Sequence, residues 1–122
     1  MYVNNLYVCF MNPNPLLKGT LQTIILKLLE SKDRMYGYEI TQKVKEVSEG
    51  GILLTEGALY PALHKLEADG FLETTVEVVD GRARKYYSLT EHGGKEVTSK
   101  IEEAQAFIDQ LQLLLNLKPA IK

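Results

Sequence analysis

The feature that most constrains the fold is a change of hydrophobic period on either side of Gly70. Before it, Leu59, Leu63 and Leu66 recur at the three- and four-residue spacing of one helix face. After it, the residues of 72–78 alternate between two faces, which is the period of a half-buried strand. The faces are Leu72, Thr74, Val76 and Val78 on one side and Glu73, Thr75 and Glu77 on the other. An amphipathic helix is therefore predicted to lead directly into a strand.

A hairpin and a long helix are predicted next. Asp80-Gly81 is a strong hairpin turn signal, and residues 84–89 are expected to form the return strand. Thr90 is expected to cap a last helix that runs to about Leu117, since Pro119 cannot continue it.

Two further helices are predicted upstream. The first ends near Ser31, and the second ends at Gly50-Gly51, because glycine tolerates the left-handed turn at a helix end. Their apolar stripes are Leu17, Leu21, Ile24 and Leu28, with Ile25 and Leu29 beside them, and then Ile40, Val44 and Val47. Residues 52–54 (Ile-Leu-Leu) are too short to classify, and an edge strand is one interpretation.

The third helix has a clear start and one awkward residue. Thr55 is expected to cap it, with Glu56 placed well for the positive end of the helix dipole. Pro61 removes a backbone donor and presses on the carbonyl of Gly57, which by strict rules kinks or breaks a helix. We expect one bent helix, because Gly57 has no side chain to crowd that turn.

This order of elements predicts a mainly α fold with a small β-hairpin. It is the layout of a winged helix-turn-helix followed by a C-terminal dimerisation helix. The expected division is an N-terminal arm or extension over 1–14, the winged helix-turn-helix domain over 15–90, and the dimerisation helix with its tail over 91–122. Whether Met1 or Met11 is the natural start is left open.

Composition limits the other classes of protein. The single cysteine, Cys9, fits a reducing compartment, and no stretch has the features of a secretion signal or the length of a membrane span, so we expect a cytoplasmic protein. The two histidines, His64 and His92, lie on different predicted helices and far from Cys9 in sequence. Neither a metal site nor a catalytic constellation is therefore predicted, and we expect no cofactor and no enzymatic activity.

The third helix and the hairpin carry the residues that suit DNA. The formal net charge is −2, so contact with DNA must come from local clusters of basic residues. Tyr60 and His64 are predicted neighbours opposite the leucine stripe, and the hairpin tip holds three cations within four positions. The full predicted DNA-binding set is Tyr38, Thr55, Gly57, Tyr60, Pro61, His64, Lys65, Arg82, Arg84 and Lys85.

The last helix predicts a homodimer. Apolar residues at intervals of 4, 3, 4, 3 and 4 form a short heptad seam, with Phe107 and Leu114 widening it. The predicted seam is Val97, Ile101, Ala104, Ile108, Leu111 and Leu115. A dimer would place two recognition helices about one DNA turn (~34 Å) apart, which implies a palindromic operator.

Three stretches resemble the PadR family of transcriptional regulators, in particular its short members with one C-terminal helix. They are Tyr36-Gly37-Tyr38-Glu39-Ile40, residues 55–67 (Thr-Glu-Gly-Ala-Leu-Tyr-Pro-Ala-Leu-His-Lys-Leu-Glu) and residues 81–90 (Gly-Arg-Ala-Arg-Lys-Tyr-Tyr-Ser-Leu-Thr), within a similarity that covers about residues 16–115. The resemblance implies that Pro61 lies in a continuous helix. It also implies a dimeric repressor of genes for stress response, detoxification or drug efflux that a small molecule releases from DNA.

In some members of that family, flat aromatic compounds bind between the C-terminal helices, sandwiched by tryptophans. This chain has no tryptophan, so that sandwich does not carry over. Ala104, Phe107, Ile108 and Leu111 could line a small apolar space for an aromatic or hydrophobic inducer at the same interface, and dimer packing explains them equally well.

Two other classes of function stay open at this point. Glu56, Glu67 and Asp69 on the third helix, with the net acidity, fit a winged helix that binds a protein. The alternative is a dimer whose primary role is to bind a ligand at its interface, without specific DNA binding.

Overall fold

The computed structural model describes residues 15–118. Its elements in chain order are α1 (Pro15–Lys18), α2 (Leu21–Glu30), β1 (Met35–Tyr36), α3 (Gly37–Val47), α4 (Glu56–Ala68), β2 (Leu72–Val79), β3 (Arg82–Leu89) and α5 (Glu91–Leu115). The mainly helical fold with a small antiparallel sheet confirms the predicted fold class. The N-terminal arm, Cys9, the two candidate start residues and the residues after 118 lie outside the described residues, and the three-part division of the chain stays a prediction.

One core joins the helices to the sheet. Helix α2 contributes four buried side chains, α4 contributes its predicted leucines, and the sheet adds Leu72 and Tyr87. The buried residues of the two helices are Leu21, Ile25, Leu26 and Leu29, and Leu59, Leu63 and Leu66. Ile24 and Leu28, which the stripe of the first helix also included, are only half-buried. Full burial of one such side chain stabilises the fold by about 1.5–3 kcal/mol.

The third strand of the sheet is β1, so the interpretation of residues 52–54 as an edge strand is wrong. The strand order is β1-β3-β2, and β1 pairs antiparallel with β3 through Met35 opposite Tyr87 and Tyr36 opposite Tyr86. Leu54 is buried in the core without joining a strand ladder. The outer edge of β3 is thus occupied by the segment that leads into α3, and a strand of two residues leaves no visible period in a sequence.

Helix α3 ends earlier than the glycines predicted. It stops at Val47, and the chain then turns through Glu49 and Gly50, both with positive φ (55° and 81°). The Gly50 amide donates to the Lys45 carbonyl at 2.8 Å, which closes the helix end. Ile40 is buried as predicted, whereas Val47 is 66% exposed, because no described element covers this last turn.

Helix α4 is continuous through Pro61, as the resemblance implied. Thr55 is its N-cap, and its Oγ1 accepts from the Ala58 amide at 3.2 Å. The proline leaves the carbonyl of Gly57 without its helical donor, and Gly57 lies exposed, so water can satisfy that oxygen.

The β2–β3 hairpin, residues 72–89, is called the wing below. Asp80 and Gly81 both have positive φ (51° and 78°), the geometry of a tight two-residue hairpin turn, and Val79 pairs with Arg82 beside it. Val76 and Val78 share a face with Leu72 as predicted, but they are 61% and 74% exposed. The outer half of the wing therefore projects beyond the core.

Helix α5 begins where predicted and ends slightly early. Thr90 caps it by accepting from the Gly93 amide at 2.9 Å, and Asn116 closes it in the left-handed conformation. Val97 is 1% exposed and belongs to the core of its own chain. Its assignment to the dimer seam is therefore wrong, because the first half of α5 packs against α2 and leaves Val97 no free surface.

Candidate nucleic-acid interface

Helix α4 exposes a narrow strip on the side away from its buried leucines. The strip consists of Gly57, Pro61, His64 and Lys65, all of which are exposed and follow one another at helical spacing. Thr55, predicted as part of the same DNA-binding set, is half-buried at the N-cap. We call Gly57, Pro61, His64 and Lys65 the α4 strip.

Tyr60 lies at the border of this strip and not within it. It follows Leu59 by one residue, about 100° around the helix, and is half-buried. Its phenol oxygen lies so close to Gly37 at the start of α3 that a Cβ at position 37 would collide with it. Tyr60 therefore takes part in the contact between α3 and α4. Tyr38, by contrast, is 62% exposed in the first turn of α3.

The three wing cations do not form one cluster as the sequence suggested. Arg82 is exposed beside the turn, and its side chain has no hydrogen bond or ion pair within residues 15–118. Arg84 is half-buried, and its guanidinium lies over the Tyr36 ring, 4.1 Å from the centroid. Lys85 points to the opposite face because side chains alternate along a strand, and its Nζ lies 5.5 Å from the Tyr87 ring centroid.

Two of the predicted DNA-contacting cations have acidic neighbours. The Nζ of Lys65 is 3.2 Å from Asp69 Oδ1, and the Nζ of Lys85 is 3.9 Å from Glu67 Oε1. Exposed ion pairs of this kind contribute only about 0–1 kcal/mol. Both lysines can therefore exchange a carboxylate for a phosphate at small cost.

Five residues on the outer face of the sheet form a cluster that the sequence analysis did not find. Arg34 forms an ion pair with Glu77 at 2.5 Å and lies over the Tyr86 ring at 4.0 Å from its centroid. The rings of Tyr36 and Tyr86 meet edge to face at 5.6 Å, and Arg84 completes the stack on Tyr36. We call these five residues the outer-face cluster: Arg34, Tyr36, Glu77, Arg84 and Tyr86. It depends on the register of the two-residue strand β1, for which the sequence carried no signal.

The charges in the outer-face cluster stabilise one another. The hydrogen bond from Arg34 lowers the pKa of the Glu77 carboxyl, and the same bond raises the pKa of Arg34. The pKa of Arg84 is raised by its hydrogen bond with Tyr86. On the core face, burial raises the pKa of Tyr87, and the nearby Tyr60 and Glu67 add to the effect.

A surface groove connects the helices to the wing. It has a volume of about 700 Å³ and is open to solvent. Its lining includes Gly37, Tyr60, Arg82, Arg84 and Lys85. Cations from the wing thus face the aromatic side chain of α4 across one groove.

The histidines give no sign of catalysis within the described part of the chain. His64 is exposed on α4, and His92 is exposed on α5, where its ring lies 4.8 Å from that of Phe71. Residues 15–118 contain no group of three His, Cys, Asp or Glu side chains placed to hold a metal ion. None of the helices in this range is long and apolar enough to cross a membrane.

The second half of α5 presents apolar side chains to solvent. Phe107, Leu114 and Leu115 are 58%, 76% and 59% exposed, and Ile108 is 47% exposed. Ile101, Ala104 and Leu111, from the predicted seam, are half-buried. The four proposed pocket residues Ala104, Phe107, Ile108 and Leu111 follow one another at helical spacing on this part of α5. We call Phe107, Ile108, Leu114 and Leu115 the α5 apolar patch.

Comparison with protein families identifies one match. The profile of the transcriptional regulator PadR-like family matches residues 25–99, which contain α3, α4 and the wing. This match confirms the resemblance predicted from the sequence. It covers the α4 strip, the groove and the outer-face cluster.

Individual proteins agree with the family match. Transcriptional regulator Rv3488 of Mycobacterium tuberculosis is 44% identical over 66 residues, which are 54% of this chain and 59% of that protein. The structure of a transcriptional regulator from Clostridium thermocellum superposes with a TM-score of 0.73 at 28% identity, covering 84% of this chain and 96% of that one. A PadR family transcriptional regulator from Eggerthella lenta gives 0.65 at 30% identity, covering 82% and 81%. Regulators of this family are not enzymes, in agreement with the prediction that this chain is not one.

Proposed function

Because this chain belongs to the PadR-like family of transcriptional regulators, we propose that it binds a specific DNA operator as a homodimer and represses the genes beside it. The observation that carries the proposal is the groove lined by Tyr60 of α4, at the border of the exposed α4 strip, and by the wing cations Arg82, Arg84 and Lys85. Such a surface fits the major groove through a helix and the adjacent backbone through a hairpin.

The α4 strip is proposed to read the bases. Gly57 and Pro61 are short, so the helix can approach the floor of the major groove closely. His64 can donate a hydrogen bond to a base edge, while Lys65 suits a phosphate. Tyr60, at the border of the strip, is positioned by Gly37 to offer its hydroxyl to the DNA backbone.

The wing is proposed to supply phosphate contacts. Arg82 has no acidic partner among the described residues and stands beside the turn, so its guanidinium is free for a phosphate. Lys85 can join it after leaving Glu67. Arg84, stacked on Tyr36, contributes positive charge to the groove from a fixed position. These local cations explain how a chain with a net charge of −2 can bind a polyanion.

The α5 apolar patch is proposed to pair two copies. Its exposed side chains follow Ile101 and Ala104 along the predicted seam, so a second α5 could cover them. Two α4 strips would then meet successive major grooves about 34 Å apart, on a palindromic operator. Operator binding would also require that the protein lie with the chromosome, in the cytoplasm.

Release by a small apolar or aromatic ligand between the paired α5 helices is the remaining part of the proposal. It is supported by the apolar character of Phe107 and Ile108, and the ligand must be held without tryptophan. A ligand-binding dimer without operator binding is the second candidate, which the same two side chains favour.

Selection from a pool of random duplexes tests the proposed function. The full chain is expected to enrich one sequence with two inverted half-sites whose centres are 10 to 11 base pairs apart. The matched control is a second selection with His64→Ala, which should enrich weakly or with relaxed sequence at the half-site centres. Failure of the unaltered chain to enrich any sequence would contradict operator binding.

A further inference from the structure

We propose that Arg34 is a positioning residue for DNA binding, which holds the wing at the angle that presents Arg82 to the phosphate backbone. The inference rests on the proposed contact between wing and DNA. It concerns a residue outside the wing and outside α4, in the short segment between α2 and β1.

The wing lacks support along much of its length. Backbone pairing with β1 reaches only Tyr86, so the part of β3 from Arg82 to Lys85 has no strand on its outer edge. Val76 and Val78 are exposed, so no helix covers the inner face there. A two-stranded hairpin alone is marginally stable in water. Something else has to fix the direction in which the outer wing points.

The outer-face cluster provides that support. Arg34 reaches along the outer face of the sheet, lies over Tyr86 and forms its ion pair with Glu77. Glu77 and Arg84 are directly opposite each other in the hairpin, beyond the last residue that pairs with β1. Arg84 is fixed from the other side by Tyr36. The contact therefore extends two residue pairs past the end of the backbone ladder between β1 and β3.

The residues that hold the wing are themselves anchored to the body of the domain. The Tyr36 amide donates to the Glu39 carboxylate of α3 at 3.2 Å, and Lys32 forms an ion pair with the same carboxylate. Met35, between Arg34 and Tyr36, is buried in the core. Arg34 thus links the core of the domain to the outer half of the wing, which projects beyond that core.

A small change in the angle of the wing moves Arg82 far, because Arg82 lies at the end of the hairpin. From Tyr86 to Arg82 the strand rises by about 14 Å, so that a tilt of about 15° moves the tip by about 3.5 Å. Such a shift separates a donor from its acceptor, because a hydrogen bond requires its heavy atoms within about 3.2 Å.

A double-mutant cycle separates positioning from direct contact with DNA. The variants are Arg34→Gln, Glu77→Gln and the double substitution, measured by fluorescence anisotropy on the duplex enriched in the selection described above. Positioning predicts that each single variant binds about fivefold more weakly and that the double variant is no weaker than either. If Arg34 instead contacted a phosphate, Glu77→Gln would strengthen binding, since it removes a negative charge beside the DNA. That result would overturn the inference.

A second test repeats the Arg34→Gln measurement in a protein that already carries Arg82→Ala. Because Arg34 is proposed to act through Arg82, Arg34→Gln should lose most of its effect when Arg82 is already alanine. Additive losses would overturn the inference. Lys95→Gln, which breaks an exposed ion pair with Glu91 on α5, is the matched control for loss of one positive charge.

A DNA-free measurement keeps the test independent of folding defects and of the proposed function. Arg34→Gln should unfold within a few degrees of the unaltered protein, yet exchange the amides of 76–84 faster while those of α4 stay unchanged. Unchanged amide exchange in the wing would overturn the inference about Arg34 and leave the proposed function standing. If Arg82→Ala leaves DNA affinity intact, the proposed role of the wing fails, whatever Arg34 does.

Discussion

His64 and Arg82 are the two polar side chains on which the proposed interface depends most. Each is exposed, and each comes from a different element, so that they can be tested separately. They differ in the kind of DNA contact that they can make. His64 lies among short side chains on a helix, whereas Arg82 stands at the end of a hairpin.

Arg82→Ala should weaken binding to every sequence alike. Loss of one phosphate contact lowers the slope of log affinity against log salt by about 0.9. The measurement is anisotropy at several salt concentrations, with Lys95→Ala as the control, because that lysine is equally cationic but lies on α5. An Arg82→Ala slope equal to that of the unaltered protein would remove the wing from the interface.

His64→Ala should instead affect discrimination between sequences. We expect a loss of about 1–3 kcal/mol on the operator, and a much smaller loss on a scrambled duplex. The salt slope should stay within error of the unaltered value, since a contact with a base edge neutralises no phosphate. Equal losses of affinity on both duplexes would indicate that His64 contacts the DNA backbone and not the bases.

At the residue scale, sequence reasoning found the exposed side chains better than the packed ones. Positions such as His64 and Arg82 follow directly from period and turn type. Tyr60 and Arg84 were harder, because each packs against a partner distant in sequence, Gly37 and Tyr36 respectively. Side-chain stacking between distant segments leaves no local pattern that a single sequence could show.

The start of α5 packs tightly against Phe71, the residue before the wing. Gly93 lies against the backbone of Phe71, and a Cβ there would overlap its carbonyl oxygen. The neighbouring Gly94 has no atom within 4 Å of the corresponding position. Of these two adjacent glycines, Gly93 has no room for a side chain and Gly94 has ample room.

Substitution of these two glycines tests how α5 sits on the sheet. Gly93→Ala should destabilise the protein by about 1–3 kcal/mol, because the backbone must shift to admit the methyl group. Gly94→Ala should stabilise it by about 0.5–1 kcal/mol through helix propensity. Thermal unfolding measures both. A stabilising Gly93→Ala would show that α5 does not approach Phe71 so closely.

At the element scale, the sequence predicted α4, the wing turn and the cap of α5 because each has a local signal. Thr55 and Thr90 each accept from an amide three residues farther along the chain, and Asp80-Gly81 turns the chain at its own position. The strand β1 was missed because its two residues pair only with distant Tyr86 and Tyr87. The end of α3 was placed too late, since Glu49 adopts a left-handed conformation one residue before Gly50 does.

The α5 apolar patch determines the assembly of the whole molecule in this account. Val97 belongs to the core, so the pairing surface has to begin farther along the helix than the sequence suggested. Ile108 belongs to the predicted seam and is 47% exposed. Its replacement should therefore affect assembly more than folding.

Ile108→Asp should convert a dimer into a folded monomer. A buried carboxylate at the seam is costly, whereas the same charge on the monomer surface is hydrated. Sedimentation analysis measures the mass, and circular dichroism checks the helix content. Ala106→Asp, exposed on the opposite side of the same helix from Ile108, is the control and should stay dimeric. An Ile108→Asp variant that remains a dimer would place the pairing surface elsewhere.

Sequence-specific binding of DNA is the central claim, and fluorescence anisotropy tests it most directly. The purified full chain is titrated onto the duplex from upstream of its own gene and onto a scrambled duplex of equal length, each at two salt concentrations. We predict tighter binding to the upstream duplex, and weaker binding to both duplexes at the higher salt concentration. Equal affinity for the two duplexes, or binding that salt does not weaken, would contradict the account.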